Sequence, residues 1–363
     1  MWIYLIIIAW IVFMEFLYLK THKEQTIEKQ TRKKWKYSIA TSFPIFFIMA
    51  FRASNIGNDT IGYIRQFNEL KKINFDEMLN ADFSLFGRLR TEKGYLVFSK
   101  VISLISGNEI FFLAVVSFIL LICVVRFLVI NTDDPVLGIF LFFTIGLFSF
   151  MMTGIRQSLA MSICLLAFEE AKKRHLIRFL LLIFLAFSFH KSSIIFVIVY
   201  FMVNQKLTII KTFLLFVATF VLIRYLEPIQ NLFNETLDYD YSIEKTGNGQ
   251  MFLIIMVALL VFTLYKYREN VNQNKDMLVL YNMQILCVIL WILRLFTRTV
   301  ERPSYYFMFA ILVLIPNSIN KWIKQSNRRI ITIVLIVLFS VLFIYRTAGD
   351  PMFNPYNFVW NLK

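Results

Sequence analysis

A single arginine interrupts a long apolar stretch of the sequence. Arg156 is the only charged side chain among the 33 residues from 136 to 168, and it lies in the motif GIRQSLA. A guanidinium presents N–H donors in a planar fork that matches phosphate oxygens, and a helix N-terminus adds unpaired backbone N–H groups. Because Thr153-Gly154 is suited to break a helix, Arg156 is expected in the first turn of the following one. The motif predicts an anion site, best suited to phosphate.

Three other short polar stretches could supply proton-transfer chemistry. His190 and Lys191 lie in SFHKSS, Asp59 lies in NIGNDTIGY, and Glu92 lies in RTEKGY. A free imidazole titrates at about 6.5, so His190 can act as a base near neutral pH without any shift of its pKa. Asp59 and Glu92 are competing bases. Each residue also has a simpler explanation: Asp59 could cap a helix, Glu92 could face water, and His190 could bind a carbonyl at a turn.

Four further arginines lie at the ends of apolar runs. Arg52 ends the second run, and Arg294, Arg298 and Arg302 recur every four residues in WILRLFTRTVERPSYYF. That spacing would place the last three on one face of a helix. Arginines at helix ends often extend to lipid headgroups, so no one of them is informative alone. Together with Arg156 they predict a cationic site that suits a lipid carrying a pyrophosphate.

The elements that must position these residues are apolar helices. Hydrophobic residues make up 58% of the 363-residue chain, and 40 residues are Phe. Apolar runs of 15 to 22 residues recur along the chain, and a helix of about 20 residues crosses a bilayer. A soluble protein with this many apolar helices would lack a polar surface. The chain is therefore predicted to be an all-α polytopic membrane protein, with a single domain over residues 1–363.

Twelve transmembrane helices are predicted. They lie near residues 2–19, 35–51, 109–130, 136–152, 156–171, 176–190, 192–205, 207–226, 251–267, 277–296, 304–318 and 330–346. The segment 94–106 is shorter and more polar, so it is predicted to be interfacial or re-entrant. It ends a segment, 52–107, that is predicted to be extracytoplasmic. Within this segment an apolar stripe indicates a helix that lies on the membrane, and the stripe consists of Ile61, Ile64, Phe67 and Leu70. A second extracytoplasmic loop, 227–250, is acidic and carries Glu227, Glu235, Asp238, Asp240 and Glu244.

Positive charge sets the predicted orientation. The net charge is +15, and 21 of the 38 Lys and Arg residues fall in segments that alternate as cytoplasmic loops. This pattern follows the positive-inside rule, which explains the positive charge without a nucleic-acid partner. The same alternation predicts that both termini lie outside. The run from 136 to 168 would measure about 50 Å as one helix, against a membrane core of about 30 Å, so it must fold back. Arg156 then lies at the outer face with the other candidate residues.

No metal or cofactor is expected to take part. The cysteines Cys123, Cys164 and Cys287 lie within apolar runs and lack metal-ligand spacing. The sequence also lacks a glycine-rich nucleotide loop and a nucleophile elbow.

Several short motifs, in their order along the chain, resemble the EpsG family of Wzy-type polysaccharide polymerases. They are RASNIGNDTIGYIRQF from Arg52, TEKGY at 91–95, GIRQSLA at 154–160, FHKSS at 189–193, ERPSYYF at 301–307 and PYNFVW at 355–360. The resemblance implies a bundle similar to GT-C glycosyltransferases in a bacterial cytoplasmic membrane. It also implies the joining of oligosaccharide repeats, carried on undecaprenyl pyrophosphate as both donor and acceptor, into exopolysaccharide, capsule or O-antigen at the outer face. Membrane lipids, a flippase and a chain-length regulator are the expected partners.

The candidate residues can be given roles in such a transfer. The predicted catalytic residues are His190, Arg156 and Asp59; the predicted pyrophosphate ligands are Arg52, Arg156, Arg294, Arg298 and Arg302; and the predicted sugar contacts are Tyr63, Glu92, Gln157, Lys191 and Tyr305. Arg156 with Arg302 or Arg298 would neutralise the leaving pyrophosphate, and His190 would accept the proton of the attacking hydroxyl.

Three other functions compete with polymerisation. An O-antigen-ligase-like transferase would use the same lipid donor with another acceptor. A flippase for lipid-linked oligosaccharide would need charge in a central cavity, whereas the ionisable residues here lie mostly at helix ends. A membrane acyltransferase has less support, because it would depend on one histidine at a turn.

Overall fold

A computed structural model of the protein describes residues 1–21, 26–80, 84–85, 89–206, 208–237, 249–321 and 325–361. The first half contains α1 (Trp2–Lys20), α2 (Ile27–Ala50), α3 (Thr60–Leu70), α4 (Phe75–Asn80), β1 (Ser84–Leu85), β2 (Leu89–Arg90), α5 (Lys93–Ile105), α6 (Glu109–Asn131), α7 (Pro135–Thr144), α8 (Leu147–Thr153) and α9 (Ile155–Lys172). The second half contains α10 (Leu176–Phe189), a 3-10 helix (Lys191–Val197), α11 (Ile198–Met202), α12 (Ile209–Arg224), α13 (Leu226–Leu237), α14 (Gln250–Leu264), α15 (Tyr267–Gln273), α16 (Met277–Arg294), a 3-10 helix (Arg298–Val300), α17 (Glu301–Asn320), α18 (Gln325–Ala348) and a final 3-10 helix (Val359–Asn361). The two short strands pair antiparallel.

The protein is an all-α membrane protein. Helix occupies most of each of the twelve segments predicted to cross the membrane. Within the described residues, α1, α6, α16 and α18 are single helices long and apolar enough to span a bilayer. Two bent pairs also qualify if each pair is one span: α7 with α8, bent by 60°, and α14 with α15, bent by 59°. Length and composition therefore support four to six spans.

The centre of the bundle is formed by helices that are apolar on every side. Each residue of α7 is buried, and in α17 residues 304–319 are buried. These two helices pack against each other, and α17 also packs against α16. Peripheral helices instead expose large apolar side chains such as Ile177 (75%) and Phe184 (74%) of α10. Such faces suit lipid, because an apolar outer surface is stable only outside water.

The chain folds back between α7 and α9. Asn131, which ends α6 shortly before α7 begins, donates a hydrogen bond of 2.7 Å to Glu169 near the end of α9. The start of α7 and the end of α9 therefore lie at the same level. The predicted break before Arg156 is present, with Gly154 between α8 and α9. A second break, at Gly146, was not predicted; its φ of +118° is one that side chains rarely adopt.

The C-terminal tail lies across the face that carries Arg52. Val359 donates a backbone hydrogen bond to Phe51 at 3.0 Å, and Ala53 donates one to Asn357 at 2.9 Å. Tyr4 at the start of α1 donates through its hydroxyl to Phe353 at 3.0 Å. Both ends of the chain consequently meet on the same face of the bundle.

The two segments predicted to be extracytoplasmic contain helices. In α3, the residues Ile64, Phe67 and Leu70 are buried in the protein, and Phe67 stacks on Phe112 with ring centroids 4.6 Å apart. The prediction that this stripe faces the membrane is therefore wrong, except that Ile61 is half exposed. In the predicted acidic loop, Glu227 and Glu235 belong to α13. Asp238, Asp240 and Glu244 lie outside the described residues.

Candidate active site

Glu92 links three segments that are far apart in the sequence. Its Oε2 accepts a short hydrogen bond from Nη1 of Arg156, and its Oε1 lies 3.0 Å from Nδ1 of His190. The backbone N–H of Lys191 also donates to Oε1, at 3.3 Å. The three charged or titratable side chains are all more than 90% buried. The motifs TEKGY, GIRQSLA and FHKSS thus meet at one carboxylate.

Each of the three residues lies at a helix end. Glu92 is the N-cap residue of α5, Arg156 is in the first turn of α9, and His190 follows α10 in an extended conformation. Gly94 lets the start of α5 approach the end of α10: a Cβ there would lie 2.2 Å from Oγ and 2.6 Å from the carbonyl oxygen of Ser188. A side chain at position 94 would therefore push Glu92 away from His190.

The surroundings of Glu92 and His190 favour an ionised carboxylate beside a neutral imidazole. Burial would raise the pKa of Glu92, but the hydrogen bond from His190 and the charge of Arg156 oppose it and lower the pKa to about 2. Burial lowers the pKa of His190, and the hydrogen bond and charge of Glu92 raise it. The positive charges of Arg156 and Arg302 also lower it, so the net effect is a decrease. Because an ionised carboxylate only accepts hydrogen bonds, Nδ1 carries the proton and Nε2 of His190 keeps a lone pair.

Asp59 lies close to two guanidinium groups. It is at the N-cap position of α3, but its carboxylate forms no capping hydrogen bond with the described residues. Burial raises the pKa of Asp59, while the charges of Arg302 and Arg156 act in the opposite direction. One turn later, Tyr63 is 3% exposed, and the burial that raises the pKa of its hydroxyl is opposed by the charge of Arg156. Its ring packs edge-on against Tyr95, with centroids 5.7 Å apart, so the Tyr63 side chain is held in place by α5.

Arg302 reaches the same cluster from α17. The amide Nε2 of Gln157, next to Arg156, donates a 2.7 Å hydrogen bond to the backbone carbonyl of Arg302. This bond ties the start of α9 to the first turn of α17. The Arg302 side chain is exposed, and its charge acts on both Asp59 and His190. Arg156 and Arg302 therefore flank the two titratable residues that could exchange a proton with a ligand.

The comparison with protein-family models matches residues 35–358 to the EpsG family. The chain belongs to the EpsG family. The matched range covers nearly the whole chain and every residue of the cluster around Glu92. No curated protein and no solved structure was found to be similar to it.

In this EpsG-family protein, three of the predicted arginines do not share a helix. The helix α16 ends at Arg294, and a separate 3-10 helix carries Arg298 before α17 begins at Glu301. The prediction of one common helical face for Arg294, Arg298 and Arg302 is wrong. Arg294 instead donates from Nε to Glu301 at 3.0 Å. Arg298 is exposed.

Glu301 also organises Tyr305. The hydroxyl of Tyr305 donates to Oε1 of Glu301 at 3.0 Å, while Oε2 accepts from Arg294. The ring of Tyr305 stacks on Phe150 of α8, with centroids 4.2 Å apart. Glu301 was not among the predicted site residues, although it lies in the quoted motif ERPSYYF.

Arg52 is not positioned to bind a pyrophosphate. Its side chain is 1% exposed, and the guanidinium donates to the carbonyl of Met49 and, at 3.3 Å, to that of Met152. Both acceptors are backbone groups at the ends of α2 and α8. The prediction of Arg52 as a ligand is therefore corrected: this arginine joins the second predicted span to the segment that leads into Arg156.

An arginine that was not predicted lies at the same face. Arg346, near the end of α18, donates to the carbonyl of Ile145 at 3.3 Å, and its guanidinium lies over Gly146 at the second helix break. Arg346 lies at the end of an apolar run, as Arg52 does, so the same sequence signal could have identified it. Among the described residues, no group of three or more His, Cys, Asp and Glu side chains could hold a metal ion.

Proposed function

We propose that this protein polymerises oligosaccharide repeat units at the outer face of a bacterial cytoplasmic membrane. The growing chain would move from undecaprenyl pyrophosphate to a hydroxyl at the non-reducing end of the next lipid-linked repeat. Membership of the EpsG family and the resemblance to Wzy-type polymerases support this activity. The observation that carries it is the buried cluster in which Glu92 bridges Arg156 and His190.

His190 is the proposed general base. Glu92 accepts the Nδ1–H, so Nε2 is the ring nitrogen that can take a proton from an attacking sugar hydroxyl. As the hydroxyl oxygen bonds to the anomeric carbon of the donor, its proton passes to Nε2. A neutral imidazole is the form that can accept it, and burial between two arginines favours that form.

Arg156 and Arg302 are the proposed ligands of the leaving group. The bond between the anomeric carbon and the pyrophosphate oxygen breaks, and its electron pair leaves with the undecaprenyl pyrophosphate. Two guanidinium groups and the N–H groups at the start of α9 would stabilise that charge. Removing one such donor typically raises the barrier by about 2.7–4 kcal/mol. Asp59, beside both arginines, is suited to orient a sugar hydroxyl.

The membrane arrangement follows from the charge pattern. We infer twelve crossings in one domain, similar to GT-C glycosyltransferases, with the site, both termini and residues 52–107 outside. The seven Lys and Arg residues between positions 20 and 36 support a cytoplasmic location for that segment. The repeats would then arrive through a flippase, and a chain-length regulator would act on the product.

Reconstitution tests the proposal. The purified protein, in liposomes, receives a lipid-pyrophosphate oligosaccharide with no nucleotide sugar and with a metal chelator present. A ladder of dimers and longer products is expected, with release of undecaprenyl pyrophosphate. The proposal is overturned if the substrate only crosses the bilayer unchanged, as for a flippase. It is also overturned if glycan is transferred only to a different acceptor, as for a ligase.

A further inference from the structure

A polar groove runs beside α3, on the side away from the candidate active site. Its volume is about 360 Å³, within the range of about 300–1,000 Å³ that is usual for small-molecule sites. Six polar side chains line it together with two isoleucines of α3: Ser54, Arg65, Asn68, Glu69, Lys72 and Glu109. None of these residues takes part in the cluster around Glu92.

The walls of the groove are held rigidly. The ammonium group of Lys100, which is 5% exposed, donates to the carbonyls of Leu70 at 2.9 Å and Ile73 at 2.6 Å and so fixes the end of α3. Asn68 donates to Glu109 at 2.5 Å, which joins α3 to the start of α6. The helices that frame the groove are therefore held in place before any ligand binds.

One helix connects the groove to the candidate active site. Residues 61, 65 and 69 are exposed on one side of α3, whereas Tyr63 is buried on another side, where the charge of Arg156 acts on it. Asp59 at the start of the same helix lies near Arg156 and Arg302. Eleven helical residues measure about 16 Å. A ligand held in the groove would thus lie at a fixed distance from the reacting groups.

The charges of the groove favour an uncharged polyhydroxyl ligand. Arg65 and Lys72 supply cations, and Glu69 and Glu109 supply carboxylates, so the formal charges balance. The groove therefore offers a diphosphate no net electrostatic attraction, unlike a site lined by cations alone. Sugar hydroxyls both donate and accept hydrogen bonds, and they can pair with carboxylate, guanidinium, ammonium and amide groups together.

We propose that this groove binds part of the glycan remote from the reacting bond, and that it retains the saccharide between successive additions. This inference rests on the proposed polymerase function. Loss of the groove should shorten the product without preventing the addition of a single repeat, because the residues around Glu92 are left in place.

The test uses Arg65→Ala and Glu69→Ala, which change exposed side chains, in the full-length protein. The matched control is Lys29→Ala, from a cavity of about 380 Å³ lined by four basic residues elsewhere in the protein. The products of reconstituted polymerisation are sized on gels, and KM is measured for lipid-linked donors that carry one to several repeats. Losing one or two hydrogen bonds should raise KM for the longer donors roughly three- to ten-fold. The kcat for one addition should remain unchanged, and the ladder should become shorter.

Binding of the lipid-free saccharide, measured by saturation-transfer NMR, separates this inference from the polymerase proposal. Wild-type protein should bind it, and Arg65→Ala should weaken the binding. If wild-type protein makes no ladder but binds the saccharide through the groove, the polymerase proposal fails and the binding site stands. If wild-type protein makes a ladder and the two variants match Lys29→Ala in length and binding, the groove inference is wrong. Displacement of the saccharide by inorganic diphosphate would also overturn it.

Discussion

The carboxylate of Glu92 lies 3.0 Å from Nδ1 of His190, although the two residues are 98 positions apart in the sequence. Both side chains are buried, and Glu92 also accepts a hydrogen bond from Arg156. A buried carboxylate is costly without partners, so this one requires both the imidazole and the guanidinium. The same contacts hold the imidazole in the form that can accept a proton at Nε2.

His190→Ala should abolish chain extension, because the attacking hydroxyl loses its base. General-base catalysis contributes about 100- to 10,000-fold, so the rate of transfer should fall at least about 100-fold. Single lipid-linked repeats should accumulate in cells, and the purified variant should form no ladder. His175→Ala, which changes an exposed histidine, is the matched control and should behave as wild type. Long polymer from the His190 variant would move the base to another residue, with Asp59 the next to test.

Glu92→Gln should change both the rate and its pH dependence. The amide keeps the size of the side chain but removes the charge that raises the pKa of His190. The pKa of His190 should therefore fall, and since the neutral imidazole is the active form, the acidic limb of the kcat profile should move to lower pH. The kcat itself should decrease because the imidazole is less well oriented. An unchanged acidic limb would show that His190 does not set it; Glu170→Gln, beside His175, is the control.

Arg156→Lys should lose most of the activity, although it keeps the positive charge. A lysine keeps the charge but lacks the planar fork that can bind Glu92 and a phosphate oxygen together. The expected loss in kcat is about 100- to 1,000-fold, the usual effect of removing one donor to a developing anion. Arg178→Lys, at an exposed position, should have no effect. A normal ladder at normal expression would contradict a role for the guanidinium.

Arg52→Met should affect stability more than substrate binding. The backbone carbonyl of Met49 would lose its buried donor, at a cost of about 1–3 kcal/mol, whereas the carbonyl of Met152 keeps a 3.4 Å hydrogen bond from the hydroxyl of Thr60. The protein in detergent should unfold at a lower temperature, while KM for the lipid-linked substrate should stay within about two-fold of wild type. A stable variant with a strongly raised KM would restore Arg52 as a pyrophosphate ligand.

Labelling of single cysteines should establish the orientation. Asn58→Cys, in the exposed loop before Asp59, should react with a membrane-impermeant maleimide in intact cells. Ser326→Cys, exposed at the start of α18, should react only after the membrane is permeabilised. The two variants are compared on a background in which Cys123, the cysteine that is not fully buried, is replaced by Ser. The reverse pattern would place the site in the cytosol and refute the proposed function.

The sequence predicted those features that depend on neighbouring residues, namely the apolar helices and one of their breaks. An uninterrupted apolar run favours a helix in lipid, because the backbone must satisfy its own hydrogen bonds there. The break before Arg156 was also visible, since Thr153-Gly154 follows a run too long to cross the membrane once. The break at Gly146 was not predicted, because a single glycine between apolar residues is also tolerated inside a helix. The end of α16 at Arg294 had no preceding Gly or Pro to mark it, and the four-residue spacing of the arginines was misleading.

The sequence by itself determined that the chain is an all-α membrane protein. It also determined that polar residues collect at the ends of the helices, and which motifs contain those polar residues. Only the tertiary structure decided that Glu92 joins Arg156 to His190, that Arg52 bonds to backbone carbonyls, and that Arg346 lies over Gly146. Helix formation follows from neighbouring residues, whereas these contacts depend on how helices pack. The close approach of Gly94 to Ser188 is one such packing contact, and no pattern in either motif predicts it.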